Sequence, residues 1–150
     1  MYTRPIIAIL MNSFLNWQNR ESLYRMNFSG QWVDEERVKK VAPYITYAFL
    51  SCGSVSREDA EEICKKMFRA GCPMVIATRG SYGAVLFDGT QFYEQPPHLV
   101  EAVDTLGAGD SFATAFLLSF LESRKKYGIQ MKESIYEKEI RKALEAGAEF

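Results

Sequence analysis

Asp104-Thr105-Leu106-Gly107-Ala108-Gly109-Asp110-Ser111-Phe112 sets two glycines and a carboxylate just ahead of a long apolar segment. Glycine lets backbone approach a ligand closely. A helix N-terminus offers unpaired N–H groups and the positive end of a dipole, both of which favour an anion. Asp110 puts a negative group in the same turn, where it would repel a phosphate unless it takes part in chemistry. Anion cradle plus carboxylate points to phosphoryl transfer, with Asp110 as the base. A glycine cap before a buried helix would account for neither Asp110 nor the pairing of two glycines with Thr105. A second turn, Thr78-Arg79-Gly80-Ser81-Tyr82-Gly83, follows an apolar run. Ligands of open α/β sheets bind beyond the carboxyl ends of strands, and this turn lies at such an end. Its small residues and N–H groups suit a phosphate, although a strand-to-hairpin turn needing positive φ has the same composition.

The elements that must position these turns are legible from Asp34 onward. Asp34-Glu35-Glu36 is an acidic first turn, and Val38, Val41 and Ala42 form a helical stripe up to Pro43. Tyr47–Cys52 reads as a short buried strand. Ser56 caps a helix with Asp59 as a capping-box partner, Ala60, Ile63, Cys64 and Met67 as its apolar face, and Gly71 at its end. Met74–Thr78 is the next buried strand, and strand–helix–strand predicts two parallel neighbours. Ala84–Phe87 and Gln91–Tyr93 flank the turn Asp88-Gly89-Thr90 as a hairpin. The helix from about Gly107 to Glu122 is apolar nearly all round, which predicts a central buried helix. Lys125–Met131 reads as a polar connector. Ser134 caps a last helix with Ile135, Ile140, Ala143, Leu144 and Gly147 on one side. Residues 1–30 show no sustained period, except that Ile6–Met11 reads as a buried strand.

Bulk properties narrow the function. Apolar residues make up 47% and charged residues 25%, a globular rather than disordered balance. The net charge of −1 points to no nucleic-acid surface, so any phosphate handling is local. Cys52, Cys64 and Cys72 form no C-x-x-C pair and read as free, buried thiols of a reducing compartment. Ile6–Met11 is too short to span a bilayer and lacks a cleavage site, so a cytoplasmic, membrane-free protein is expected. No P-loop motif is present, and Phe112 stands where a dinucleotide fingerprint needs glycine. His98 follows two prolines and reads as a loop residue, while Trp17 and Trp32 read as packing residues.

The 104–112 segment resembles the carboxy-terminal signature of the ribokinase-like (PfkB-type) carbohydrate kinases, D-T-x-G-A-G-D-x-F, with Asp104, Thr105, Gly107, Ala108, Gly109, Asp110 and Phe112 matching. Thr78, Gly80 and Gly83 match the T-x-G-x-x-G that such kinases carry some 25 to 30 residues earlier. The resemblance implies an α/β fold, a ribokinase-like three-layer αβα sandwich with a mostly parallel sheet and a β-hairpin, present in part. It implies ATP and Mg²⁺ as cofactors and a sugar or sugar-derivative as substrate, with a homodimer as the oligomer considered. It places the general base on Asp110 and an anion hole on Gly107, Ala108, Gly109 and Asp110. It assigns Thr78, Gly80, Gly83 and Thr105 to the ATP that both turns serve. Arg79 is either an added charge near the phosphates or a solvated loop residue.

The sequence departs from the family in two respects. Many members carry N-x-x-E after the strand corresponding to Tyr47–Cys52, but this chain reads Ser51-Cys52-Gly53-Ser54-Val55-Ser56. Glu58, Glu61 and Glu62 read as helix surface, which leaves Mg²⁺ to ATP and water, and no metal ligand is assigned. The likeness also runs from about Asp34 to Phe150 only. Residues 1–150 therefore read as one partial kinase domain, the ATP-binding and catalytic half, with 1–30 unassigned: a truncated gene product or gene fragment. From Tyr47 to Asp110 the wording most resembles the fructoselysine 6-kinase subgroup. The rival expectation is an inactive nucleotide-binding or structural fragment of such a kinase.

Overall fold

The computed structural model describes residues 9–10, 22–27, 35–53, 55–97, 108–128 and 131–149. It divides into two compact units, Met1–Glu94 and Gln95–Phe150.

The first unit is organised by two strands, β3 (Tyr47–Ser51) and β4 (Met74–Thr78), that pair in parallel with Tyr47 opposite Met74 and Ser51 opposite Thr78. Both are buried along four of five residues, as continuous apolar strands covered by helices must be. The helix between them, α2 (Arg57–Arg69), packs on β4 and on β5 (Ala84–Phe87). Ser56 caps it, its Oγ accepting from the Asp59 N–H at 3.1 Å. Ala60, Cys64 and Met67 face the core as their spacing predicts, with Ile63 half-buried beside them. Gly71, at φ +123°, then turns the chain where an added Cβ would stand 3.0 Å from Pro43. Ahead of β3, α1 (Glu35–Val41) runs into a 3-10 turn over Ala42–Tyr44.

Two strands precede these. β1 (Ile9–Leu10) falls inside the predicted Ile6–Met11 strand, and β2 (Ser22–Asn27) carries no apolar run that would announce it. β1 pairs antiparallel with β2, and β2 parallel with β3. On the other side β4 pairs antiparallel with β5, and β6 (Phe92–Gln95) completes the hairpin around Asp88. The order β1-β2-β3-β4-β5-β6 thus gives an α/β sheet that is parallel at its centre and antiparallel at its flanks.

The second unit is a pair of packed helices, α3 (Ala108–Tyr127) and α4 (Glu133–Ala148). Phe112, Ala113, Phe116, Leu117 and Phe120 are buried on α3, and Ile140, Ala143, Leu144 and Gly147 on α4. Three expectations change here. The helix does not stop at Glu122 with a connector from Lys125, because Arg124, Lys125 and Lys126 are good helix formers that suit the negative end of the dipole. It ends at Gly128, φ +82°. Nor is α3 covered all round: Ser111, Thr114, Leu118 and Glu122 form an exposed row at helical spacing. Finally, Ser134 is the second residue of α4 rather than its cap. Lys132 holds the cap position, with no side-chain cap bond.

Candidate active site

Thr78 closes β4, and its neighbourhood is laced to the end of β3. Its carbonyl accepts from the Cys52 N–H at 2.8 Å, and its Oγ1 donates to the Leu50 carbonyl at 3.3 Å. The loop that follows is tight. Arg79 N–H donates to the Gly83 carbonyl at 2.7 Å, Tyr82 N–H to Arg79 at 3.0 Å and Gly83 N–H to Gly80 at 3.3 Å. Gly80 sits at φ +55°, and a Cβ built there would meet nothing within 4 Å. Among the described residues nothing crowds that position, and close approach by a phosphate requires such room. Gly83, at φ +89°, redirects the chain into β5.

Arg79 is half-buried and makes contacts of its own. Its Nε donates to the Val55 carbonyl at 3.0 Å, and its guanidinium carbon lies 5.4 Å from the Tyr82 ring centroid. Its half-buried charge also reaches Cys52. Burial lifts that thiol to about 11, against the lowering effect of Arg79, so Cys52 is an inert packing group rather than a nucleophile. Glu61 pairs with Arg57 at 3.0 Å and Glu62 with Lys65 at 3.0 Å. These acids, with exposed Glu58, occupy the α2 surface as expected. Among the described residues no group of three His, Cys, Asp or Glu side chains could hold a metal ion.

In the second unit Ala108, Gly109 and Asp110 form the first turn of α3. The N–H groups of a first turn have no intrahelical acceptor, so this backbone can receive an anion. Buried Phe112, two residues after Asp110, packs against α4, where a Cβ added to Gly147 would stand 3.0 Å from its ring. Asp104, Thr105, Gly107 and His98 lie outside the described residues. Sequence reasoning missed the partners of Arg79, namely Val55 and Tyr82. The aromatic three positions after the arginine was the only local hint.

Residues 43–150 match the pfkB family carbohydrate kinase. The chain is 41% identical over 87 residues to fructosamine kinase FrlD of Bacillus subtilis (strain 168), covering 58% of this chain and 31% of that protein. It is 36% identical over 95 residues to fructoselysine 6-kinase of Escherichia coli (strain K12), covering 63% and 36%. The chain thus spans about a third of the length of these curated relatives. Among solved structures it is similar to the microbiome-derived acarbose kinase Mak1, with a TM-score of 0.62 and 24% identity over 86% of this chain and 39% of that one. It is also similar to the ribokinase of Giardia lamblia, with a TM-score of 0.61 and 16% identity over 83% and 42%. The fold is therefore that of the ribokinases.

Proposed function

The chain belongs to the pfkB family of carbohydrate kinases, and from that membership we propose that it serves ATP-dependent phosphorylation of a hydroxyl on a sugar derivative of the fructosamine type. The observation that carries this reading is the Asp104–Phe112 signature leading into a helix whose first turn is Ala108–Asp110. The substrate class follows from the names of the fructosamine and fructoselysine kinases above.

In this reading Asp110 takes the proton of the attacking hydroxyl, an effect of about 10²–10⁴-fold for a well-placed base. N–H groups from Gly107 to Asp110 face the charge that develops in transfer, each strong donor stabilising it by ~3 kcal/mol. Thr78, Gly80, Gly83 and Thr105 hold ATP. When bound, ATP with Mg²⁺ supplies the phosphoryl group and offsets its charge. The open backbone of Gly80 fits that group. With no carboxylate cluster among the described residues, the metal is left to ATP and water.

A coupled ADP-release assay with fructoselysine and a panel of unmodified sugars tests the proposal. Turnover with fructoselysine above that with free sugars is expected, and a preference for plain sugars would overturn the substrate class. Because the chain spans about a third of its relatives, a second reading stands beside it: a nucleotide-binding fragment without turnover. Saturable ATP binding without ADP release would decide for that reading.

A further inference from the structure

We propose that Arg79 is a positioning residue: it straps the Thr78–Gly83 loop to the segment that enters α2. This rests on the reading of that loop as an ATP site. Both backbone groups of Arg79 are used inside the loop, its N–H on Gly83 and its carbonyl on Tyr82. Its side chain leaves the loop. Nε reaches the Val55 carbonyl, 24 residues away and one residue before the Ser56 cap, while the guanidinium lies over the Tyr82 ring. Below the strap, Cys52 N–H to the Thr78 carbonyl and Thr78 Oγ1 to the Leu50 carbonyl join the same two segments.

Gly80 explains why such a strap matters. It holds a left-handed φ, among the described residues nothing lies within 4 Å of where its Cβ would stand, and glycine has the most backbone freedom to lose. The loop is held instead through Arg79 on one side and Gly83 on the other. Guanidinium suits this task and ammonium does not: it is planar, can lie on a ring, and offers a donor at Nε in a fixed direction.

The difference between the two cations supplies the test. Hydrogen exchange and ATP titration are run on the 150-residue chain as wild type, Arg79→Lys, Arg79→Gln, Tyr82→Phe and Tyr82→Ala. Arg79→Lys and Arg79→Gln should each lower protection of the Tyr82 and Gly83 amides by about tenfold, the scale of one charge-assisted hydrogen bond. ATP affinity should fall by a similar factor in both, while amides within β4 keep their protection. Tyr82→Ala should act in the same direction and Tyr82→Phe should not. If Arg79→Lys keeps wild-type protection and affinity while Arg79→Gln loses them, charge alone matters and the strap is overturned. Protection lost throughout β3 and β4 would also overturn it, in favour of a general stability role. An unmodified chain that binds no ATP removes the ATP reading, and loop exchange still decides the strap.

Discussion

A carboxylate in the first turn of a helix has two uses, to complement the dipole or to move a proton, and Asp110 can be tested for each separately. Asparagine keeps the shape and loses the charge. As a dipole partner alone, Asp110→Asn would lower stability by about 0.3–1 kcal/mol and leave turnover intact. As a base it should keep ATP affinity while the rate falls about 10²-fold or more, read by the ADP-release assay beside an ATP titration. The cysteines give a pH prediction. Burial lifts the Cys52 thiol from 9.0 to about 11 and the Cys72 thiol to about 12, and it raises Cys64 too. Below pH 9 both folded and unfolded chains hold these protons, so stability is flat. Between 9 and 11 the unfolded chain releases them and the folded chain does not, so stability falls by about 1.4 kcal/mol per pH unit for each thiol. Urea midpoints at pH 8 and pH 10.5 should show the decline, with a shallower slope in Cys72→Ala. An equal slope in the variant would mean that other groups cause it. The buried thiols were legible in the sequence because their meaning is carried by type and local spacing. The strap at Arg79 was not, because a backbone carbonyl 24 residues away leaves no mark in a sequence.

Elements were readable where one face had to be buried and their ends were marked. β3, β4 and α2 satisfy both conditions, and their bounds fall within a residue of what the apolar runs and Ser56 predict. The cap is directly testable: Ser56→Ala should lower stability by ~1 kcal/mol, or about 2–4 °C in Tm for a chain of this size. No shift would mean that the bond from Asp59 N–H is replaced by water. The β5–β6 turn makes a stronger demand. Asp88 Oδ1 accepts from the Thr90 and Gln91 N–H groups at 2.9 and 3.0 Å. Gly89 stands at φ +91°, with its missing Cβ only 2.4 Å from the Phe68 ring. Gly89→Ala therefore combines strain with a clash and should destabilise by about 1–3 kcal/mol. β2 was unreadable because Ser22, Arg25 and Asn27 break any apolar pattern, so pairing with β3 rather than local sequence defines it. Glu139 was unreadable for the opposite reason. It looks like surface, yet it is buried, hydrogen-bonded by Ser123 Oγ and 3.9 Å from Lys142. Ser123→Ala would leave a buried carboxylate short of its donor, a loss of about 1–3 kcal/mol.

For the molecule as a whole, colloidal behaviour turns on two quantities that the fold leaves exposed. The net charge is −1, with a sequence pI of about 5.9, so near pH 6 little long-range repulsion separates one chain from another. Several large apolar side chains meet solvent: Tyr44 is 80% exposed, Tyr82 59% and Leu118 59%. Leu118 stands out, because it lies in the otherwise polar row of Ser111, Thr114 and Glu122 on α3. The expectation that this helix is apolar on nearly every side rests on its composition. What the structure adds is that the opposite face, from Phe112 through Phe120, carries the packing on α4, so Leu118 is surplus to it. A largely exposed residue can be changed with little loss of stability, while an exposed leucine favours association when charge repulsion is weak. Leu118→Glu should therefore leave Tm within about 1–2 °C of wild type, the scale of a surface substitution. It should also reduce the light scattering of concentrated samples near pH 6, where the wild-type chain should scatter most. A clear drop in Tm would show that Leu118 is covered in solution, and unchanged scattering would move the origin of association to Tyr44 or Tyr82.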